Sequence, residues 1–255
     1  METFTGLKLD NGAPVYTQEY IQSLRDADRK HPDRLKIVAQ RGGQERMLSI
    51  NADIKIVGGS RGGSKSFSSL MEVLKDIKKP DFHAVIVRKE KDDLQSLITD
   101  SYKLFSQFGT YNKSQNDMTW NFTNGGWLKF SYYSGSFQDF KDRFQGRQFA
   151  YICIDEGTQC PYKKFKYLLT NNRNAAHIRN RFWITCNPDP ESWVRKFIDW
   201  WVDEDGYIIP ERDCVIRYCF MDGDTPDSIY WGNTREEVYE QCSHLIDRLW
   251  SKYRD

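Results

Sequence analysis

The sequence predicts an α/β protein in which helices flank a mostly parallel central sheet and one β-hairpin is inserted. Two observations support this prediction. Short apolar runs recur along the 255 residues, and helix-like segments alternate with them. Nearly continuous apolar strands are typical of a sheet covered on both faces, and strand–helix alternation builds parallel sheets. A hydrophobic content of 39% is sufficient for such a core.

The elements can be placed in order along the chain. The predicted strands are DIKIV at 53–57, HAVIVR at 83–88, FAYICID at 149–155, RFWITCN at 181–187 and CVIRYCF at 214–220. The predicted helices span residues 65–77, 91–108, 162–170, 192–203 and 234–252. The hairpin is predicted at 117–133, because Asn124 and Gly125 supply the positive φ angles of a tight turn.

Three segments are expected. Residues 1–45 are interpreted as a charged N-terminal arm with an adenine-side segment, and residues 46–220 as the core. Residues 221–255 are expected to form a C-terminal helical segment or linker.

The composition limits the partners and the compartment. Lys and Arg total 37 against 36 Asp and Glu, so a DNA contact requires a local patch. Lys163, Lys164 and Lys166 are candidates, although a solvated helix face is the simpler interpretation. Six cysteines without a CxxC pair fit reduced thiols, and the chain contains neither a signal-peptide pattern nor an apolar run of ~20 residues. We therefore expect a protein that is neither secreted nor membrane-embedded.

A glycine-rich loop, GGSRGGSKSF, lies between the first predicted strand and the first predicted helix. A phosphate-binding loop needs this order, because backbone N–H groups and a helix N-terminus then face the anion. Lys65 can reach the β- and γ-phosphates of ATP, and the Ser66 hydroxyl can coordinate Mg²⁺. A glycine-rich turn before a surface helix is the alternative. The predicted nucleotide-binding residues of the loop are Gly59, Ser60, Arg61, Gly62, Gly63, Ser64, Lys65 and Ser66.

The loop departs from the GxxxxGK[ST] pattern at one position, because Ser64 stands where glycine is expected. Either Ser64 accepts a backbone angle that is unusual for a non-glycine residue, or the loop is slightly altered.

Two adjacent acids end the strand FAYICID. Asp155 at a strand end can hold the Mg²⁺ shell, and Glu156 can polarise the attacking water. A solvated strand end with two charges is the alternative, and the presence of the phosphate loop weakens it.

Two further positions have polar groups suited to nucleotide contact. Thr185 or Asn187, at the end of the strand RFWIT, can hydrogen-bond the γ-phosphate or the attacking water, whereas a Thr/Asn-Pro turn is the structural alternative. Gln44 has an amide that can pair with both the donor and the acceptor edge of adenine, and a surface glutamine is its alternative.

Together, GGSRGGSKS, RFQGRQFAYICIDEGTQ and RFWITCNPDPESWVRKFI resemble, in this order across about 44–200, the large terminase subunit of tailed bacteriophages. That family is the motor that packages double-stranded DNA into procapsids. The resemblance implies a P-loop ATPase core of the ASCE type, with an extra strand between the phosphate loop and the acid strand. The resemblance implies a role in hydrolysis for Arg61. Lys65, Ser66, Asp155 and Glu156 match the phosphate-loop and acid positions of the family, and Thr185 to Asn187 resemble its coupling motif.

The resemblance also implies cofactors and partners. The cofactor is Mg²⁺, with ATP as the substrate. The partners are double-stranded DNA, the small terminase subunit and a portal protein, on which the chain is expected to form a homo-oligomeric ring, a pentamer by family resemblance. No membrane is expected as a partner. The implied location is the host bacterial cytoplasm.

The sequence departs from the family at a position that bears on the intersubunit arginine. Relatives often place arginine just before the glycine upstream of the acid strand, whereas Gln145 precedes Gly146 here. Arg143 and Arg147 flank this pair and are the candidates for an arginine supplied in trans.

Family members have a C-terminal nuclease domain that needs more residues than follow the predicted core, so no nuclease activity is expected from this chain.

Two other functions remain as alternatives. A helicase-like or other DNA-dependent ATPase would share the nucleotide chemistry. A non-hydrolysing scaffold is the less favoured alternative, and it is compatible with Ser64 and with the lack of net positive charge.

Overall fold

The computed structural model describes residues 4–8, 14–16, 37, 39–59, 64–114, 117–187 and 189–251, with the backbone alone for 4–8, 14–16 and 246–251. The chain divides into two compact units, Met1–Ile50 and Asn51–Asp255. In the first unit, strands β1 (Phe4–Lys8) and β2 (Pro14–Tyr16) pair antiparallel, and helix α1 spans Gly43–Ser49.

The second unit is built on a seven-stranded sheet. Its strands are β3 (Ile54–Val57), β4 (His83–Arg88), β5 (Gly109–Asn112), β6 (Thr119–Phe122), β7 (Trp127–Tyr132), β8 (Tyr151–Ile154) and β9 (Arg181–Thr185), in the order β3-β9-β8-β4-β7-β6-β5. The helices of this unit are α2 (Lys65–Val73), α3 (Leu94–Phe105), α4 (Phe137–Phe144), α5 (Tyr162–Asn171), α6 (Trp193–Phe197) and α7 (Arg235–Ser251).

Five neighbouring strands, from β3 through β9, β8 and β4 to β7, pair in parallel. This confirms the predicted mostly parallel sheet. Strand β9 lies between β3 and β8, so the extra strand expected between the phosphate loop and the acid strand is present. Because Val57 pairs with Thr185 and Ile154 with Ile184, the carboxyl ends of these three strands meet at one edge. That edge is where ligands bind in sheets of this kind.

The predicted hairpin is also present, since β6 and β7 pair antiparallel across the Asn-Gly turn. Strand β7 additionally pairs in parallel with β4, and β5 extends the sheet beyond β6. The residues of β5, GTYN, were not predicted as a strand. They contain no apolar run by which a strand could be recognised. As an edge strand, β5 is only partly covered, and its residues alternate between half-buried and exposed positions.

One strand prediction was wrong in its location. The run 214–220 was assigned to the central sheet, but only its end enters a strand, β10 (Tyr218–Met221), which pairs antiparallel with β11 (Ile229–Gly232) in a separate two-stranded sheet. Val215 and Ile216 are exposed by 40% and 46%, so this apolar run is not covered on both faces. The predicted helix at 192–203 is likewise shorter and consists of α6 followed by a 3₁₀ turn at Asp199–Trp201.

A buried ionic cluster joins strands β3 and β9 to helix α2, away from the edge where the carboxyl ends of the strands meet. The Glu72 carboxylate is fully buried and lies 3.5 Å from Lys55 Nζ and 2.9 Å from Arg181 Nε. Burial lowers the pKa of Lys55 to about 8, although the charge of Glu72 opposes this shift. The far end of the phosphate-loop helix is therefore fixed to two strands by charge as well as by packing.

In the part of the chain that the structure describes, no helix combines the length and the apolar character needed to cross a bilayer.

Candidate active site

The phosphate loop is described at its two ends, Gly58–Gly59 and Ser64. Ser60, Arg61, Gly62 and Gly63 lie outside the described residues. Ser64 has φ 56° and ψ 15°, the left-handed conformation that glycine adopts most readily. This is the first of the two alternatives that the sequence left open. The Ser64 carbonyl accepts hydrogen bonds from the Ser68 N–H and the Ser68 hydroxyl, both over 2.8 Å, and so begins α2.

Lys65 connects the start of the phosphate loop with the segment that follows β9. Its ammonium group donates to the Gly59 carbonyl over 2.9 Å and to Asn187 Oδ1 over 3.3 Å. The lysine therefore lies where the start of the loop and the end of β9 converge. Its three donors can exchange these partners for phosphate oxygens.

Asp155 follows β8 and is fully buried. Its Oδ1 accepts from the Ser66 hydroxyl over 2.8 Å and also from the Thr185 hydroxyl. These contacts bring together three candidate residues that the sequence placed on separate segments. The serine and aspartate oxygens are hard donors of the type that Mg²⁺ prefers, and Mg²⁺ commonly takes one or two carboxylates together with substrate phosphates. This donor set fits Mg²⁺.

No group of three or more His, Cys, Asp or Glu side chains that could hold a metal ion occurs in the described part of the chain. A site with a single carboxylate and a hydroxyl relies on the phosphates of the substrate for further oxygen ligands.

Arg88 is a site residue that the sequence analysis missed. Its Nε donates to Asp155 Oδ2 over 2.6 Å, and its Nη2 lies 3.8 Å from Glu156 Oε1. Burial by itself lowers the pKa of Arg88, but the charge and hydrogen bond of Asp155 outweigh burial, and the pKa is raised. The arginine ends the predicted strand HAVIVR, yet only the pairing of β4 with β8 places it against the acids.

Glu156 has a constrained backbone and a partly exposed side chain. It adopts φ 60° and ψ 49°, a left-handed conformation that is uncommon for a residue with a Cβ. The side chain is 40% exposed, and its Oε2 accepts from Gln159 Nε2 over 3.2 Å. A carboxylate held at the open edge of the site can reach a bound water molecule.

The two candidate intersubunit arginines differ in their surroundings. The Arg143 guanidinium lies 3.8 Å from the centre of the Tyr132 ring, and its Nη1 donates to the Tyr132 carbonyl over 2.6 Å. Arg147 is exposed, on the loop that follows α4. Arg143 is therefore engaged by Tyr132 of the same chain, whereas Arg147 is exposed.

Of the three lysines on α5 that the sequence offered for phosphate contact, Lys164 does not face solvent. Lys164 is buried, and its Nζ donates to the carbonyls of Tyr133 and Gly135 over 2.6 and 2.7 Å. Lys163 Nζ lies 4.4 Å from the centre of the Phe137 ring, and Lys166 donates to the Gly223 carbonyl. Lys164 is therefore a structural residue, because the carbonyls of Tyr133 and Gly135 need a hydrogen-bond donor.

Gln44 belongs to the first unit. It is buried, and its Oε1 accepts from the Gln40 N–H over 2.8 Å. The adenine contact predicted for Gln44 stays a prediction.

The fold and this edge define a P-loop nucleotide-binding domain of the ASCE type. The N-terminal family of the T4-type large terminase subunit matches residues 56–247. The chain belongs to this family.

Solved structures of large terminases have a similar fold. The large terminase of a thermophilic bacteriophage is similar with a TM-score of 0.51 and 17% identity, over 65% of this chain and 44% of that protein. The bacteriophage HK97 large terminase is similar with a TM-score of 0.50 and 13% identity, over 66% of this chain and 37% of that protein. The chain thus spans less than half the length of either protein. No curated protein sequence matches the chain.

Proposed function

We propose that this chain is the ATPase portion of a bacteriophage DNA-packaging motor, and that it binds ATP with Mg²⁺ and hydrolyses the γ-phosphate. One observation supports this most strongly. The Ser66 hydroxyl of the phosphate loop donates to Asp155 at the end of the acid strand over 2.8 Å. This contact brings a phosphate-binding segment and a carboxylate pair to the same edge of the sheet, as phosphoryl transfer requires.

Lys65 is proposed to bind the β- and γ-phosphates. It would release Gly59 and Asn187 as the phosphates enter, because the same ammonium group serves both sets of acceptors. The remaining nucleotide-binding residues are proposed to be Gly59, Ser60, Arg61, Gly62, Gly63, Ser64 and Ser66, with Gln44 toward the adenine.

Ser66 and Asp155 are proposed to hold Mg²⁺, which would offset the charge of the β- and γ-phosphate oxygens. The Asp155 carboxylate is oriented by Arg88, whose Nε donates to its second oxygen over 2.6 Å. The aspartate therefore presents one oxygen toward Ser66 and Thr185 while the other is fixed from behind.

Glu156 is proposed to accept the proton of the attacking water. A carboxylate that is 40% exposed at the edge of the site can be reached by solvent water. Thr185 and Asn187 are proposed to sense the γ-phosphate, since Asn187 contacts Lys65 and Thr185 contacts Asp155. Arg61 is proposed to add positive charge near the transferred group.

The finer biological role rests on the family. We propose that the motor acts on double-stranded DNA as a homo-oligomeric, pentameric ring on a portal protein, with the small terminase subunit, in the host bacterial cytoplasm. Arg147 is the favoured arginine in trans, because Arg143 is engaged with Tyr132. The chain alone is proposed to lack nuclease activity.

ATP turnover of the purified protein tests the proposal. Lys65→Ala should nearly abolish Mg²⁺-dependent turnover, because it removes the charge that holds the phosphates. Lys78→Ala, which removes the same charge at an exposed position, is the matched control and should retain wild-type turnover. Wild-type turnover in Lys65→Ala, or no turnover in the wild-type protein, would refute the assignment.

A further inference from the structure

The backbone of Glu156 is held by contacts on both sides of its left-handed conformation. Its N–H donates to Thr185 Oγ1 over 3.2 Å. Its carbonyl accepts from the Tyr133 hydroxyl over 3.1 Å and from the Gln159 N–H over 3.1 Å. Left-handed backbone at a non-glycine residue costs free energy, so it persists only where the surroundings impose it.

Gly157 restricts the same segment further. A Cβ at position 157 would lie 2.2 Å from Ile184 Cγ2, so the chain after Glu156 passes directly against β9. The peptides on either side of Glu156 therefore have fixed positions, and the direction of its carboxylate depends on them.

Tyr133 is well placed to impose this geometry. It is 1% exposed, and its backbone is fixed from two elements: its N–H donates to the Arg88 carbonyl over 2.9 Å, and its carbonyl accepts from Lys164 Nζ over 2.6 Å. Burial raises the pKa of the Tyr133 hydroxyl, which therefore stays protonated and remains a donor. A rigid tyrosine whose hydroxyl donates to the Glu156 carbonyl transmits its position directly to that peptide.

We propose that Tyr133 is a positioning residue for ATP hydrolysis, which acts by holding the Glu156 peptide so that the carboxylate points at the attacking water. This inference rests on the proposed function of Glu156. It adds a residue directly after β7, whose hydroxyl reaches the backbone carbonyl of Glu156. Its effect is on the orientation of the base and not on the binding of nucleotide.

Tyr133→Phe removes the hydroxyl alone. We expect kcat to fall by about tenfold or more, because a small displacement of a catalytic group is costly, whereas the ATP dissociation constant should stay within about twofold. Tyr151→Phe is the matched control, since the Tyr151 hydroxyl also is buried and donates to a backbone carbonyl, that of Ser69, over 2.9 Å. It should keep the wild-type kcat.

A double variant separates positioning from a general structural effect. If Tyr133 acts through Glu156, then Tyr133→Phe added to Glu156→Gln should cause no further loss in the residual hydrolysis that Glu156→Gln retains, measured in a single turnover over long incubation. Should Tyr133→Phe fail to fold, Lys164→Met replaces it, because that variant releases the Tyr133 backbone and keeps the hydroxyl. It should show the same selective loss of kcat.

The outcomes that overturn the proposal are distinct from those that overturn the function. A folded Tyr133→Phe or Lys164→Met with wild-type kcat, an equal loss in Tyr151→Phe, or an additive loss in the double variant refutes the role of Tyr133. Absence of Mg²⁺-dependent ATP turnover in the wild-type protein instead refutes the proposed function itself, and wild-type hydrolysis by Glu156→Gln refutes the proposed role of Glu156.

Discussion

The Arg88 guanidinium and the Asp155 carboxylate form an ion pair between two neighbouring parallel strands, with Nε and Oδ2 2.6 Å apart. The carboxylate is fully buried, and the arginine side chain is only 14% exposed. Such a pair is held at the cost of desolvating both charges, so the loss of one partner leaves the other buried without compensation. The pair therefore has a structural consequence as well as its proposed catalytic one.

Arg88→Met should lower the free energy of unfolding by about 3–5 kcal/mol, because Asp155 then retains a buried and poorly compensated charge. Urea unfolding measures this change. Arg173→Met, at an exposed position, should change the stability by no more than about 0.5 kcal/mol. If Arg88→Met is as stable as Arg173→Met, the ion pair does not stabilise the fold.

Glu156→Gln should bind ATP with nearly wild-type affinity and lose hydrolysis, since the amide keeps the shape of the side chain but cannot accept the proton. Nucleotide titration and turnover are measured on the same preparation. Glu191→Gln removes the same charge at an exposed position and should hydrolyse ATP normally. Loss of ATP binding in folded Glu156→Gln would indicate instead that Glu156 is a ligand of the nucleotide or its metal.

Arg147→Ala should lower ATP turnover at high protein concentration, by ~10³-fold or more if this arginine acts on a neighbouring subunit. Turnover per protomer should then rise with concentration for the wild type. Mixing Arg147→Ala with Glu156→Gln should restore activity at interfaces that combine one intact arginine with one intact glutamate.

Arg143→Ala serves as the comparison for this prediction, because Arg143 packs on Tyr132 within its own subunit. It should reduce stability and should not complement Glu156→Gln any better than the wild type does. Full turnover at every concentration, with Arg147→Ala unimpaired, would exclude an arginine in trans at this position.

Lys55 should make the stability depend on pH in a defined window. Its pKa is lowered from 10.5 to about 8 in the folded protein. Between these values the unfolded chain binds more protons than the folded one, so the free energy of unfolding rises with pH. The rise is fully developed above the unfolded pKa and absent below the folded one.

Lys55→Met should remove this contribution. The difference in unfolding free energy between wild type and variant should grow in favour of the wild type, by on the order of 2–3 kcal/mol, across the interval between the folded and unfolded pKa values. Urea unfolding at several pH values measures it, and groups common to both proteins cancel. A difference that stays constant over this range would contradict the lowered pKa.

Much of the fold could be predicted from local pattern. The strand HAVIVR was placed with the bounds of β4, and Asn124-Gly125 located the hairpin, because turn chemistry and apolar runs are properties of short segments. Strand order between β3, β9 and β8 followed from the resemblance. The separate β10–β11 sheet was missed, since an apolar run does not reveal what covers it.

The candidate site was predicted in part for a related reason. Glycine spacing and paired acids mark Lys65, Ser66, Asp155 and Glu156 from sequence, because each lies in a recognisable segment. Arg88 ends an ordinary strand, and its role depends on a pairing between residues 67 positions apart. Contacts of this length have no local signature, and an arginine at a strand end is most often solvated.

A Cβ at Gly157 would lie 2.2 Å from Ile184 Cγ2, so the turn after β8 packs directly against strand β9 at this position. The Glu156 N–H is also hydrogen-bonded to Thr185, the last residue of that strand. A displacement of β9 along its axis must therefore carry the glutamate peptide with it. The position of β9 and the position of the Glu156 peptide are therefore coupled.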